Sequence, residues 1–231
     1  RVDKMKKSKQ MSDAFLTGAF LAVVGGFLDA YTYICRGAVF ANAQTGNIVL
    51  MGIKLSEGNF SGAGQYIIPI LAFVAGILIS ETIKENFRKN SFLHWRQIIL
   101  AFEIVILVLS AFLPSSRANN LITNTLVSFV CSLQVQSFRT VNGNSIATTM
   151  CTGNLRSAAE LLFSFFTSKS KESLNRSLQY FGIILFFIIG AAIGAATTSV
   201  LGIKAVLFAA FGLLIVFFLL FITKEAENKT A

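Results

Sequence analysis

Two Thr-Gly-Asn motifs, each at the start of an apolar stretch, are the polar features of this sequence best suited to chemistry. Thr45-Gly46-Asn47 follows Gln44, and Thr152-Gly153-Asn154 recurs 107 positions later. Thr or Asn can supply an N-cap oxygen and Gly permits a tight turn, so each motif predicts a break followed by a helix start. A helix N-terminus carries unpaired N–H groups and about half a positive charge, which suits an anion or a neutral polar solute. The alternative is that both motifs only cap helices.

Three further polar side chains lie inside apolar stretches. Asp29 follows Gly25 and Gly26, which allow close backbone approach, and Gln134 and Gln136 are two positions apart. An ionisable residue within a membrane marks a functional site by default, and a helix rich in polar groups faces the protein interior. Asp29 then either contacts a solute or hydrogen-bonds residues 45–47, through Asn47 or Thr45. The candidate solute-binding residues are Asp29, Gln44, Thr45, Gly46, Asn47, Gln134, Gln136, Thr152, Gly153 and Asn154.

The sequence contains few residues suited to catalysis or metal binding. The single histidine, His94, lies in a charged stretch, the three cysteines are scattered, and aspartate occurs only at positions 3, 13 and 29. These residues offer no nucleophile–base pair, aspartate dyad or metal cluster. The sequence therefore predicts a protein that is not an enzyme and has no cofactor or metal.

The composition places the chain in a lipid bilayer. Of the 231 residues, 54% are hydrophobic and 13% are charged, whereas about 25% charged residues are usual in a soluble domain. Lys and Arg number 20 against 11 Asp and Glu, but most basic residues flank apolar runs. Such charges set membrane topology rather than bind nucleic acid.

Six apolar runs approach the roughly 20 residues that a helix needs to cross the hydrocarbon core. Two shorter stretches, 39–55 and 146–167, carry the Thr-Gly-Asn motifs and are apolar enough to enter the bilayer. The chain thus has either eight spans or six spans with two re-entrant segments. The six runs are residues 14–35, 65–83, 95–113, 121–138, 178–200 and 205–222.

The distribution of basic residues favours six spans. With a cytoplasmic N-terminus, 16 Lys and Arg fall inside and only Arg36, Lys54, Arg117 and Lys204 fall outside. Eight spans give a weaker bias and leave Arg156 in the membrane, against the positive-inside rule. We predict a multi-pass protein of the inner (plasma) membrane whose two tails, 1–13 and 223–231, are cytoplasmic.

The single membrane domain repeats itself, with one repeat over 14–113 and the other over 121–222. Residues 39–47 align with 146–154, and Gln65-Tyr66 followed by Gly76 recurs as Gln179-Tyr180 followed by Gly190. An odd number of spans per repeat makes the repeats inverted, and such folds hold their substrate near the membrane midplane. The predicted fold is all-α: two inverted three-span repeats, each with a re-entrant half-helix.

Gly190 and Gly194 form a small-xxx-small pair in an apolar run rich in glycine and alanine. Such a pair is typical of a helix-packing surface, and it predicts a seam at which two copies of the chain could form a homodimer.

The residues Gly25-Gly26-Phe27-Leu28-Asp29-Ala30, Gln44 to Asn47 and Thr152 to Leu155 resemble the YoaK-like family of bacterial multi-pass membrane proteins. The resemblance covers essentially residues 14–222. It implies an inner-membrane protein of about six spans, and it implies no substrate.

These features predict a transporter or channel for a small polar or anionic solute, with the pathway between the repeats at the re-entrant helix N-termini. The alternative is a non-transporting membrane binding or scaffold protein, in which the polar residues serve packing alone. A water-accessible cavity that reaches Asn47 and Asn154 would favour the transporter.

Overall fold

The computed structural model describes residues 14–87 and 94–228, so the predicted tail 1–13 and the last three residues of the tail 223–231 lie outside the described residues. Eight α-helices and one β-hairpin make up the described chain. The elements are α1 (Phe15–Cys35), α2 (Gln44–Ser56), α3 (Phe60–Phe87), α4 (Trp95–Ser110), α5 (Arg117–Ser137), β1 (Thr140–Val141), β2 (Asn144–Ser145), α6 (Thr152–Ser168), α7 (Lys171–Leu201) and α8 (Val206–Asn228).

Each of the six apolar runs lies mainly on one long helix, namely α1, α3, α4, α5, α7 and α8. Three stretches of helix are long and apolar enough to cross a membrane: Phe15–Cys35, Phe60–Phe87 and Lys171–Phe221. The last stretch contains α7 and most of α8, joined by a 3-10 turn at Gly202–Ala205. By contrast, α2 has 13 residues and is about 20 Å long, which is shorter than the hydrocarbon core.

Helices α1 and α7 lie side by side and run in the same direction. A side chain at Gly190 would overlap the backbone of Val23, and one at Gly194 would meet the Phe27 backbone 2.8 Å away. Helices α3 and α5 form the equivalent pair: they also run in the same direction as each other, and this direction is opposite to that of α1 and α7. A side chain at Gly76 would lie 2.9 Å from the Phe129 carbonyl, and the Ser80 and Ser137 hydroxyls are 2.9 Å apart.

The bundle therefore has two distinct ends. At the end where α1 finishes, the Asn124 side chain of α5 donates to the Arg36 carbonyl (2.8 Å). At the other end, Val141 of the hairpin packs on Gly18 near the start of α1. These are called the Arg36 end and the hairpin end below.

The molecule is apolar outside, and its interior holds polar side chains beside an apolar core. Leu71, Leu78 and Val200 are more than half exposed, whereas Glu103, Ser128 and Gln134 are fully buried. The main apolar core fills the space between α1, α4, α5 and α8. An exposed apolar surface around buried polar side chains is the arrangement expected of a helix bundle in lipid.

Two predictions need correction. Gly190 and Gly194 form a helix-packing surface, as predicted, but they are buried against α1 of the same chain, so the predicted homodimer seam is wrong at these glycines. The chain is also not purely helical, because a short antiparallel hairpin pairs Thr140 with Ser145 and Val141 with Asn144. Its turn residues, Asn142 and Gly143, both have positive φ, as the tight turn of a two-residue hairpin requires.

Candidate functional site at the centre of the bundle

The irregular segment before α2, the first loop (residues 36–43), reaches the middle of α1 and α5. The Asn42 amide N–H donates to Asp29 Oδ1 (3.2 Å), and Asn42 Nδ2 donates to the Gly25 carbonyl (3.1 Å). From α5, the Cys131 thiol donates to Asn42 Oδ1. Asn42 is thus the side chain that anchors this loop between the two helices.

A second set of contacts holds the same loop one residue earlier. The Ser128 hydroxyl of α5 donates to the Ala41 carbonyl (2.8 Å), and the Ala41 N–H donates to Thr32 Oγ1 of α1 (3.4 Å). The loop's polar backbone is therefore paired by side chains of the helices around it, as buried irregular backbone requires.

The irregular segment before α6, the second loop (residues 146–151), reaches the same level. Gln134 Nε2 donates to Thr148 Oγ1 (2.8 Å) and to the Leu21 carbonyl of α1 (3.1 Å). Asn154, at the start of α6, closes the loop, since its Nδ2 donates to the Ala147 carbonyl (2.6 Å) and its Oδ1 accepts from the Ala147 N–H.

The two loops meet at Gly25. A side chain there would lie 2.9 Å from the Thr148 carbonyl of the second loop, while the Gly25 carbonyl already accepts from Asn42 of the first. Gly25 leaves the space in which the loops converge.

Each Thr-Gly-Asn motif lies at a helix start after an irregular segment, as predicted, but its capping and turn geometry differ from the prediction. The motifs form the first turns of α2 and α6, and the residues preceding these helices, Ala43 and Cys151, make no side-chain capping bond. The predicted N-cap role of Thr or Asn is therefore wrong, as is the predicted tight turn at Gly46 and Gly153, neither of which has positive φ. The turn lies upstream, at Gly37 and Ala38.

The structure brings nine of the ten predicted site residues to this region: five of them make hydrogen bonds at the loops, and four lie at the helix starts. Asp29 and Gln134 hold the loops, and Asn47 donates to Gln44 Oε1 (3.0 Å) while Gln44 donates to the Ala41 carbonyl (3.0 Å). Asn154 organises the second loop. The remaining motif residues, Thr45, Gly46, Thr152 and Gly153, expose their surface at the helix starts.

One predicted contact is absent, and one predicted site residue lies elsewhere. Asp29 bonds Asn42 and not residues 45–47, because the loop turns between them. Gln136 lies apart from the site: its amide donates to Glu81, which also pairs with Lys84 (2.9 Å).

A pocket of about 190 Å³ opens at the Arg36 end and reaches Asn47. Asn154 does not line it, so this pocket is not the cavity reaching both asparagines that would favour a transporter over a scaffold. Arg36, at its base, is fully buried and donates to Tyr31 Oη (2.9 Å) and the Leu113 carbonyl (2.9 Å). The lining residues are Arg36, Gly37, Val39, Asn47, Gln65, Tyr66, Pro69, Arg117, Asn120, Leu121 and Asn124.

At the hairpin end, the repeat-equivalent positions are filled. Tyr180, the equivalent of Tyr66, donates to the Ser145 carbonyl (2.9 Å), and Gln179, the equivalent of Gln65, accepts from Asn144 (3.0 Å). Ile146, the equivalent of Val39, is buried in a cluster with Val141. The hairpin thus occupies the space that is open at the Arg36 end.

Sequence reasoning missed Asn42, Cys131 and the hairpin. Asn42 lies in the aligned segment 39–47, five residues before Asn47. A polar amide in a stretch without helical periodicity was the available sign that it contacts the loop's surroundings. Asn142-Gly143 is a strong two-residue hairpin signal, and it follows directly on a predicted span.

A bundle with an apolar exterior, buried polar side chains and helices long enough to cross a bilayer defines an integral membrane protein. The chain belongs to the family described as protein of unknown function DUF1275, which it matches over residues 17–219. It is similar to the UPF0700 transmembrane protein YoaK of Bacillus subtilis (strain 168), at 27% identity over 184 residues that cover 77% of this chain and 80% of the relative. No solved structure matches the chain.

Proposed function

We propose that this protein is a non-enzymatic membrane transporter that carries a small polar or anionic solute between two inverted repeats. The observation that carries the proposal is the meeting of two non-helical loops at Gly25, halfway along α1. Non-helical backbone at membrane depth is tolerated where it is buried in protein or lines a water-filled cavity. Inverted-repeat transporters place their substrate at such interrupted helices.

The helix directions support six spans in two inverted repeats. Helices α1 and α7 run toward the Arg36 end, whereas α3 and α5 run toward the hairpin end. Since α1 and α5 begin the two repeats, the repeats run in opposite directions. The charge distribution of the sequence then makes the hairpin end cytoplasmic, together with both termini, in the inner membrane.

The packing of the helices also agrees with a two-fold relation between the repeats. The pair α1 and α7 has its counterpart in α5 and α3, and the pair α2 and α3 has its counterpart in α6 and α7. Gly76 and Gly190 are aligned in the sequence, and each brings its helix against the first helix of the other repeat. These glycines therefore serve one repeated contact.

The starts of α2 and α6 favour an anion or a neutral polar solute. Both helices begin at the converging loops, and the exposed backbone of Thr45, Gly46, Thr152 and Gly153 lies in their first turns. The positive end of a helix attracts negative charge and repels cations. In this arrangement α2 and α6 are the re-entrant half-helices.

The difference between the two ends of the bundle favours a carrier over a channel. The pocket is open at the Arg36 end, and the hairpin fills its equivalent at the other end. A pathway that is open on one side and closed on the other is what alternating access between the repeats requires.

A ligand screen followed by uptake tests the proposal. The purified protein is first screened by thermal shift against small anions, amino acids, sugars and nucleobases, because a ligand that binds the folded state raises its stability. A stabilising solute is then offered, radiolabelled, to proteoliposomes. If no member of the panel stabilises the protein or enters the vesicles, the non-transporting scaffold is favoured.

Substitution of the half-helix asparagines tests their role. We expect Asn47→Leu and Asn154→Leu to abolish uptake while membrane insertion is retained, because each removes hydrogen bonds at the start of a half-helix. Asn86→Leu, at an exposed position on α3, is the matched control. Full uptake by either site variant would remove that residue from the mechanism.

A further inference from the structure

The pocket at the Arg36 end carries positive charge that no described carboxylate neutralises. Arg36 and Arg117 both line it, its lining contains no Asp or Glu, and neither arginine forms an ion pair among the described residues. Arg36 is held by Tyr31 and by backbone carbonyls of 110 and 113, whereas Arg117 is exposed. The pocket therefore attracts an anion.

Hydrogen-bond acceptors without partners lie beside these cations. Asn124 is 6% exposed, and its Oδ1 has no hydrogen-bond partner although its Nδ2 donates to the Arg36 carbonyl. Pro69 lies inside α3 and has no N–H, so the Gln65 carbonyl one turn earlier loses its helical hydrogen bond. Buried acceptors are normally satisfied, and an unpaired one is costly. A ligand in the pocket with a donor group would satisfy the Gln65 carbonyl, since Gln65 lines the pocket, whereas Asn124 Oδ1 is closed off from solvent.

The closed end of the bundle indicates which contacts the ligand would make. There the hairpin offers an amide donor to Gln179 and a carbonyl acceptor to Tyr180. Gln65 and Tyr66, at the equivalent positions, line the pocket, and their side chains make no hydrogen bond within the described residues. A solute in the pocket would therefore present one donor to Gln65 and one acceptor to Tyr66, side by side.

We propose that the pocket is a binding site for a small carboxylate that carries a hydrogen-bond donor next to its charge, as hydroxy acids and amino acids do. The carboxylate binds Arg117 and the Tyr66 hydroxyl, and the donor binds Gln65. The volume of about 190 Å³ leaves room for a small acid. The inference rests on the proposed function in treating this pocket as the open end of the pathway.

Three solutes of similar size separate the contribution of the ligand's charge to binding from that of its hydrogen-bond donor. L-lactate has both groups, propionate lacks the hydroxyl, and 1,2-propanediol lacks the charge. Calorimetric titration of the full chain in nanodiscs should give the order lactate, propionate, propanediol, with about a tenfold step for each lost group, since a hydrogen bond to a charged group contributes an energy of that order. Propanediol binding as tightly as lactate overturns the anion site, and propionate binding as tightly as lactate overturns the donor contact.

Variants locate the site. Arg117→Gln and Tyr66→Phe should each weaken lactate binding about tenfold. Lys204→Gln and Tyr33→Phe are the controls, since both residues are exposed and neither lines the pocket. Equal affinities of the site variants and controls overturn the assignment.

Uptake measurements keep this inference apart from the proposed function. Lactate that binds in nanodiscs and is not taken up by proteoliposomes removes the transport proposal and leaves the site. Lactate uptake and affinity that Arg117→Gln leaves unchanged remove the site and leave transport.

Discussion

At the scale of single residues, the centre of this protein is built by polar side chains that pair loop backbone. Asp29 accepts from the Asn42 N–H, and Gln134 donates to Thr148. Unpaired polar backbone inside a membrane costs several kcal/mol per group. These side chains therefore allow the chain to leave the helical conformation halfway across the bundle.

Substitution of Asp29 tests whether the hydrogen bond from the Asn42 N–H needs a charged acceptor. Asp29→Asn keeps an oxygen that accepts from Asn42, so we expect the thermal unfolding temperature of the purified protein to stay close to that of the wild type. Asp29→Leu leaves the Asn42 N–H unpaired and should cost about 1–3 kcal/mol. Thermal unfolding in one detergent measures both variants.

The control for Asp29 is Glu85→Leu, at an exposed position on α3, which should leave the unfolding temperature unchanged. If Asp29→Asn destabilises the protein as much as Asp29→Leu, the carboxylate charge itself holds the loop. Uptake by a stable Asp29→Asn variant then reports whether charge or proton exchange belongs to transport.

The sequence allowed the interior position of Asp29 and Gln134 to be predicted, because polar groups within apolar runs avoid lipid. It did not allow the partner of Asp29 to be predicted. Helical periodicity places residues on faces, but residues 36–43 are not helical, so the depth of each residue depends on contacts with α5. Asn42 was consequently overlooked in favour of Asn47, which lies one turn into α2.

At the scale of elements, two kinds of glycine have opposite roles. Gly26 and Gly190 lie where α1 and α7 cross, and a side chain at either would overlap backbone of the other helix. Gly46 and Gly153 lie in the first turns of α2 and α6, with open space beside them. The motif glycines therefore leave room at the proposed pathway, whereas the crossing glycines determine helix packing.

Alanine substitution should separate these roles. We expect Gly26→Ala and Gly190→Ala to destabilise the fold by at least about 1–3 kcal/mol, because backbone cannot move aside as a side chain can. Gly46→Ala and Gly153→Ala should be neutral or stabilising by up to about 1 kcal/mol, since alanine favours helix. Thermal unfolding of the four variants measures the difference.

The uptake of Gly46→Ala and Gly153→Ala adds a functional readout. A stable variant with reduced uptake supports close approach of a solute to the half-helix start. Destabilisation of Gly46→Ala as large as that of Gly26→Ala would contradict the open space assigned beside α2.

Apolar runs predicted which segments are long helices but not the residues at which those helices begin. The predicted runs began at 65 and 178, whereas α3 begins at Phe60 and α7 at Lys171. Hydropathy detects the part of a helix that lies in hydrocarbon, and polar residues continue the same helix beyond it. The hairpin was missed for a related reason, since its six residues are too short and polar for an analysis based on spans.

At the scale of the whole molecule, one repeated sequence adopts two local structures. Val39 and Ile146 are equivalent positions, yet Val39 lines the pocket whereas Ile146 is 1% exposed. The aligned motifs predicted the equivalence, and the asymmetry comes from the hairpin, which the first repeat lacks. The residues that form it, Thr140 to Ser145, lie at the position of Tyr33 to Ala38 in the repeat alignment.

Opening of the hairpin end should close the Arg36 end if the repeats exchange conformations. Asn144→Ala together with Tyr180→Phe removes the hydrogen bonds from the hairpin to Gln179 and from Tyr180 to the hairpin. Single cysteines at Val39 and Ile146, in a chain without Cys35, Cys131 and Cys151, report access to a water-soluble maleimide in nanodiscs. Before the change, the cysteine at 39 should react faster than that at 146.

After the change, the cysteine at 146 should react faster and the cysteine at 39 more slowly, because loss of hairpin contacts stabilises the opposite state relative to the first. A mutation that only loosens the hairpin would raise labelling at 146 and leave 39 unchanged. That second result would contradict alternating access and favour a channel or a scaffold. The coupled change at two sites, one at each end of the bundle, is therefore the property that separates a carrier from both alternatives.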